Sequence, residues 1–493
     1  MGVTAAAIYA GIMTVLPGVT VDVPTGMLVD GKWEDGAGRF DVLDPSTGAV
    51  LASVADSGAA DADRAVAAAA AALPGWAATA PRERSEILRR AYELMIAHAG
   101  DIATLMSLEM GKALADSRSE VTYAAEFFRW YAEEAVRVGG ELRTAPSGAN
   151  KILTLKRPVG VSLLLTPWNF PAAMATRKIA PALAAGCTTI CKPAEDTPLT
   201  VLLIAQLLTE AGVPAGVVNV LPVKDPAPLV EHLLADTRVR KVSFTGSTPV
   251  GRRLLGQAAA NVTSASMELG GNGPFLVCDD ADLDAAVDGA MLAKMRNGGE
   301  ACTAANRFLV HRSVAGEFTR RLAERMGALR VGPGTDPDTQ VGPMIHRRAV
   351  AGLTDKVDRT VAAGARVVLG GTAGEGCFFP PTVLADVPAD SAAATEELFG
   401  PVAPVIPVDD DDQAVAIANR SELGLAAYVY TADLARGLRL CERLEVGMVG
   451  LNRGIVSDPA APFGGVKQSG LGREGSHEGI EEYLETLYIA TTW

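Results

Sequence analysis

The sequence predicts an α/β protein built from two units of alternating strands and helices, and three observations carry that reading. Four short apolar runs, residues 161–165, 188–191, 217–221 and 242–244, are separated by helix-like stretches. A second alternating set runs from about Pro274 to Gly450: F-L-V, the helix-like stretch before Cys302, F-L-V-H, residues 316–329, R-V-V-L, V-A-P-V-I-P-V, A-Y-V-Y and V-G-M-V-G-L. At 493 residues and 48% hydrophobic, the chain is too long for one ordinary domain and apolar enough to fill two or three cores. Short buried strands separated by helices build parallel, doubly wound sheets, and such sheets take ligands at the carboxyl ends of their strands.

The elements follow in order. A β-like opening, M-L-V-D-G-K-W then F-D-V-L-D-P, precedes three helical regions. Asp61 and Asp63 stand before the alanine-rich run 64–73, where acids suit a helix start. Pro81 opens a segment in which Ile87, Leu88, Ala91, Leu94 and Met95 fall on one face. The third region, 102–138, is expected to break at Gly111. The four strands of the first sheet come next. After the last of them, F-T-G-S-T-P-V-G holds Gly246 and Gly251 at a strand-to-helix turn, where backbone N–H groups and a helix N-terminus suit a phosphate. The G-x-G-x-x-G fingerprint is absent. In the second unit the acid run Asp409 to Asp412 precedes A-V-A-I-A, where it suits a helix N-terminus and carries no chemistry. K-I-L-T-L at 151–155 and the tail 483–489 fit neither core, and protruding strands of that kind pair with another subunit.

Charge and cysteine usage exclude several function classes. The formal net charge is −14 with no long Lys/Arg run, so neither a nucleic acid nor an anionic membrane is expected as partner. Six cysteines in so long a chain form no disulfide framework, and no Cys/His grouping has zinc-ligand spacing, so no metal site is expected. The apolar run from Ala5 to Leu16 has no basic residue before it, the first being Lys32, and it reads as a plain N-terminal extension rather than a signal peptide. No apolar stretch is long and clean enough to span a bilayer, and a reducing, cytoplasmic setting is expected.

The stretch with chemical character is M-R-N-G-G-E-A-C-T-A-A-N-R around Cys302. A thiolate is the strongest side-chain nucleophile, yet an ordinary thiol is mostly protonated at neutral pH and must be activated by its surroundings. Small residues at Gly298, Gly299, Ala301, Thr303 and Ala304 leave room for a carbonyl, and the Cys302 N–H is placed to hold an oxyanion.

Together these segments resemble the aldehyde dehydrogenase superfamily. T-P-W-N-F-P at Thr166, K-P-A-E at Lys192, F-T-G-S at Phe244, M-E-L-G-G at Met267, G-x-A-C at Gly299, E-E-L-F-G-P at Glu396 and P-F-G-G at Pro462 stand in the family's order and spacing. The resemblance implies a Rossmann-type NAD-binding domain (27–140 and 159–267), an α/β catalytic domain (268–450) and a small β oligomerisation arm (141–158 and 474–493), after an extension over 1–26. It implies Cys302 as nucleophile, Glu268 as base for the hydrolytic water and Asn169 as side-chain donor of the oxyanion hole. Lys192 and Glu195 match the adenosine ribose pair, Gly246 and Ser247 the pyrophosphate turn, Glu397 and Phe399 the nicotinamide ribose and ring, and Trp168 the adenosine-side backbone. A carboxylate at Glu195 accepts ribose hydroxyls and repels a 2′-phosphate, which favours NAD, with NADP possible. The family also implies a homodimer or homotetramer.

Within the superfamily, A-T-R-K-I-A-P-A-L-A-A-G-C, K-P-A-E-D-T-P, V-G-M-V-G-L-N and F-G-G-V-K-Q-S-G-L-G-R-E-G-S resemble succinate-semialdehyde dehydrogenases. In that subfamily two arginines and a serine grip the substrate's distal carboxylate, and the matching positions are Arg177, Arg296 and Ser457. A guanidinium fork suits a carboxylate, although an arginine can equally pair with a protein acid. The sequence departs from the subfamily at Ala304, where some relatives carry the second cysteine of a redox switch, at Glu300, at Asn272, and in L-N-R-G-I-V-S-D-P-A-A. An uncharged or aromatic aldehyde, a CoA-acylating enzyme and a catalytically silent binding protein on the same fold are the alternatives.

Overall fold

The computed structural model describes residues 12–493. The first sheet has eight strands in the order Gly470–Leu471, Ser264–Glu268, Val239–Thr245, Val161–Leu165, Thr188–Lys192, Val218–Val220, Met27–Val29 and Lys32–Glu34. Its five central strands are parallel, and each interior position is apolar enough to be covered by helices on both faces. Val161–Leu165 stands in the middle. The next two strands of the chain add on one side of it, and Val239–Thr245 and Ser264–Glu268 add on the other. The order therefore reverses beside Val161–Leu165, and a crevice opens there at the carboxyl ends of the strands.

The second sheet has seven strands in the order Arg366–Leu369, Thr382–Ala385, Val402–Val408, Ala305–His311, Gly273–Val277, Ala426–Tyr430 and Met448–Leu451. All but the first are parallel. Only residues 269–272 separate the last long parallel strand of one sheet from an inner strand of the other. The chain thus leaves the carboxyl end of Ser264–Glu268 and enters the amino end of Gly273–Val277. The two sheets meet across a seam, with Thr166–Asn169, Gly246 and Glu268 on one side and Gly271 and Cys302 on the other.

Helix boundaries follow the local chemistry. Pro81–Ala97 begins with proline in its first turn and buries Ile87, Leu88, Ala91 and Met95, while Leu94 is partly covered. The long helical region splits at Gly111 into Ala99–Met110 and Leu114–Glu134. Asp410 of the acid run caps Asp411–Asn419, accepting from the Gln413 N–H at 2.8 Å.

Two expectations need amendment. Residues 1–11 of the expected extension lie outside the described residues, but 12–26 do not hang free. Met13–Thr14 pairs with Val23–Pro24, and Leu16, Val19 and Val23 are buried in the main core, because their apolar surface has a helical layer to cover it. The two strands that fit neither core pair with each other, in register from Leu484↔Pro158 to Thr491↔Lys151, with Leu142–Thr144 on the far side. No second chain is needed to satisfy that ladder. The sheet leaves Leu142, Leu155, Tyr488, Ile489 and Trp493 exposed.

Candidate active site

Cys302 follows a left-handed turn. Asn297, Gly298 and Gly299 have φ of 57°, 59° and 79°, and a Cβ on Gly299 would meet the Gly400 carbonyl oxygen at 2.3 Å. Asn297 fixes the turn from three directions. Its N–H donates to Asp116 at 3.0 Å, and its side-chain amide donates to the carbonyls of Asn169 at 3.0 Å and Glu300 at 2.9 Å. Gly271 lies behind the thiol, where a Cβ would stand 2.4 Å from the Cys302 carbonyl oxygen. The second glycine of M-E-L-G-G is therefore a requirement of close approach.

Cys302, Glu268 and Asn169 line one cavity of about 230 Å³, together with Trp168, Met174, Gly246, Ser247, Glu397 and Phe399. Burial pushes the Cys302 thiol up to about 11; Arg177 and Arg296 pull it down while Glu268 and Glu397 push it further up. Glu268 is 3% exposed and neither carboxyl oxygen has a hydrogen-bond partner. Burial, and then the negative charge of Glu474, hold it well above the ordinary carboxylate range against Arg177, Lys178 and Arg473. Asn169 donates its side-chain N–H to the Glu300 carbonyl at 3.0 Å, and its own carbonyl accepts from Lys112 Nζ at 2.6 Å.

The crevice beyond this cavity fits a dinucleotide. It continues into a cavity of about 540 Å³ lined by Ser247, Thr248, Gly270 and Glu397, and a third of about 270 Å³ is lined by Thr166, Lys192, Phe244 and Arg253. Thr166 Oγ1 and Thr245 Oγ1 are buried on this path without partners. The helix Thr248–Ala259 points its N-terminus there, and Ser247 caps it without a side-chain hydrogen bond, leaving first-turn N–H groups for an anion. Lys192 is buried and lies 3.3 Å from Glu195, so those two form an ion pair at the end of the crevice. Glu397 accepts from the Gly271 N–H at 3.1 Å, and burial raises its carboxyl to about 7. The Trp168 ring meets Phe399 edge to face, with centroids 5.4 Å apart, inside the Cys302 cavity.

The three residues matched to a substrate carboxylate fare differently. Arg177 is 1% exposed and its Nε lies 2.5 Å from Glu474 Oε2. Lys178 shares the same carboxylate at 2.5 Å. Arg177 is thus held by a protein acid, with its guanidinium 4.0 Å from the Phe463 ring centroid and Nη2 donating to Met174 Sδ. Arg296 has no carboxylate partner among the described residues; it lies over Phe170 at 5.2 Å and donates to Thr303 Oγ1 at 3.3 Å. Ser457 is half-buried beside Val456, which packs with Cys302 against Phe463, Leu425 and Met448. Sequence reasoning missed Glu474 and Lys178. Pro171–Ala185 is buried at every position, so its two adjacent cations demand an acid from elsewhere, which only the tertiary structure identifies as Glu474.

Residues 33–489 match the model of the aldehyde dehydrogenase family. A succinate-semialdehyde dehydrogenase of Paenarthrobacter nicotinovorans is 58% identical over 442 residues, covering 89% of this chain and 98% of that protein. A glutarate-semialdehyde dehydrogenase of Pseudomonas putida is 46% identical over 463 residues, 94% of this chain and 96% of that one. A crystal structure of an NADP-dependent enzyme from E. coli superposes with a TM-score of 0.94 at 46% identity, covering 96% and 98% of the two chains. The cavity with a thiol, a partnerless carboxyl and a carboxamide at the seam of two sheets is that of a chain that belongs to the aldehyde dehydrogenase family.

Proposed function

We propose that the protein oxidises a semialdehyde bearing a distal carboxylate, succinate semialdehyde first, to the dicarboxylate with NAD(P). The observation that carries this is the convergence of Cys302, Glu268 and Asn169, from three separate segments, on one cavity contiguous with a dinucleotide-sized crevice. Its relatives named for succinate semialdehyde and glutarate semialdehyde share a carboxylate at the far end of the substrate.

The Cys302 thiol loses its proton to solvent and its sulfur adds to the aldehyde carbon, and the oxyanion accepts from the Cys302 N–H and the Asn169 side chain; each such donor contributes about 3 kcal/mol to the transition state. Nicotinamide, when bound, would supply the acceptor for the hydride leaving that carbon. A thioester on Cys302 remains. Glu268, with its affinity for protons raised by burial, takes a proton from the water that cleaves the thioester, releasing the acid and the thiol. Lys192, Glu195, Gly246, Ser247, Glu397 and Phe399 hold the cofactor, with Trp168 bracing Phe399. Arg296 and Ser457 face the substrate carboxylate, and Arg177 contributes charge while tied to Glu474.

That tie supports a second reading, in which the arginines are structural and the natural substrate is uncharged. An aldehyde panel followed by absorbance at 340 nm, with NAD and with NADP, decides between them. Succinate semialdehyde is expected to exceed butanal in kcat/KM, with Cys302→Ala inactive on both; equal values would overturn the carboxylate reading, and an active Cys302→Ala protein the whole scheme. The exposed apolar residues of the three-stranded sheet support a homodimer or homotetramer built through that arm, in a cytoplasmic enzyme. No helix of the described residues is long and apolar enough to cross a membrane.

A further inference from the structure

The helix Leu114–Glu134 lays one stripe of side chains along the substrate side of the site. Asp116 accepts from the Asn297 N–H at 3.0 Å, immediately beside Arg296. One turn on, Glu120 accepts from the N–H groups of Ala172 and Ala173 at 3.0 and 3.1 Å, at the start of the helix that carries Arg177. Further on, Tyr131 stands against Gly479 and the segment of Glu474, where a Cβ on Gly479 would meet its hydroxyl at 2.1 Å. Tyr123 lies on the same stripe, three residues after Glu120, since positions spaced by three and four share a helix face. It stands between Glu120, which holds the start of the Arg177 helix, and Tyr131, which stands against the Glu474 segment.

The Tyr123 ring packs edge to face on Phe127, with centroids 5.0 Å apart at 72°. Its hydroxyl is buried and has no hydrogen-bond partner. A buried phenol normally finds one, and the Arg177 and Arg296 guanidiniums that face it offer only donors, with the Glu474 carboxylate acting on it less strongly. Arg177 and Arg296 are the cations that act on it most strongly. What is missing there is an acceptor, and an anion would meet all three groups at once.

We propose that Tyr123 is a substrate-anchoring residue, its hydroxyl donating to the distal carboxylate of the semialdehyde between Arg296 and Arg177. The inference rests on the carboxylate reading above and adds a neutral donor to it. A phenol gives a hydrogen bond without further charge, so it selects carboxylate geometry where Arg177, already neutralised by Glu474, supplies little net attraction. The bond is made equally to bound substrate and to the transition state, and its loss belongs in KM rather than kcat.

Tyr123→Phe tests this, because it removes one oxygen and keeps the ring on Phe127. The ratio of kcat/KM for succinate semialdehyde over butanal is expected to fall about tenfold or more, the size of a hydrogen bond to a charged group, with the change in KM. The inhibition constant of succinate, an equilibrium readout independent of the chemical step, is expected to rise by the same factor. An unchanged ratio in Tyr123→Phe, or equal losses on both aldehydes, overturns the assignment. If the unaltered enzyme shows no preference for succinate semialdehyde over butanal, the carboxylate reading itself has failed, and the two failures are told apart by that control.

Discussion

Glu474→Gln removes the charge of a buried carboxylate that faces two cations while keeping its shape. Glu474 receives Arg177 and Lys178, each at 2.5 Å, and the side chains of those cations are 1% and 0% exposed. Removing one partner of a buried ion pair leaves an uncompensated charge and costs about 3–5 kcal/mol. Burial already lowers the pKa of Lys178, so discharge of that lysine relieves one of the two cations and places the loss near the lower end, about 3 kcal/mol. In a domain of this size, at about 2–4 °C per kcal/mol, the thermal midpoint should fall by about 6–12 °C near pH 7.5, read by circular dichroism. The pH dependence has a fixed sign. Lys178 and Arg177 hold Glu474 below its ordinary 4.5 in spite of burial, so its stabilisation is full above about pH 4.5 and is lost as pH falls through the folded value. The difference between the two proteins should therefore shrink in acid. Removing the Glu474 charge also withdraws one of the pushes on Glu268, and the acid limb of the kcat profile should move to lower pH. A midpoint change under about 2 °C, or a stability difference that persists undiminished at pH 3, would refute the pairing on which this reasoning rests.

Glu268→Gln should retain a single burst of NADH equal to the sites present while steady-state turnover falls about a hundredfold or more, as measured by stopped flow; loss of the burst would move Glu268 to the first half-reaction. Arg296→Gln should lower kcat/KM for succinate semialdehyde by about 10- to 100-fold and change butanal far less, since the only unpaired guanidinium of the proposed set is removed. Alkylation of Cys302 by iodoacetamide in the free enzyme should be slow at pH 7 and rise about tenfold per pH unit to beyond pH 10, because burial holds the thiol up to about 11. A plateau near pH 9 would show an unperturbed thiol.

The fold was legible where burial is two-sided. Val161–Leu165 and Val402–Val408 are apolar at almost every position, and such short runs, set between helix-like stretches, suit interior parallel strands. Thr382–Ala385 was not anticipated, because four residues between loops carry too little pattern to be told from a turn. The strand character of Lys151–Pro158 and Leu484–Thr491 was readable from local composition, but their mutual pairing was not: alternation fixes which face is covered and says nothing of which strand lies alongside. The same limit governs the site. Cys302 and Glu268 stand in short glycine-bearing phrases whose spacing survives in one dimension. The acid that neutralises Lys178 stands 296 residues away, and no local signal marks it.

Several buried polar atoms without partners border the crevice: the hydroxyls of Thr166 and Thr245 and both carboxyl oxygens of Glu268. Each costs about 1–3 kcal/mol if left unmet, and the core between the helices shows that this chain can satisfy such groups, as Glu109 does by accepting from the N–H groups of Leu199 and Thr200. Selection for stability alone would have removed them. Their position follows from the topology. Glu268 ends the first sheet's last long strand and Cys302 precedes a central strand of the second, so neither sheet alone surrounds the reacting carbon, and the seam between them keeps donors and acceptors in reserve for atoms that are not the protein's own.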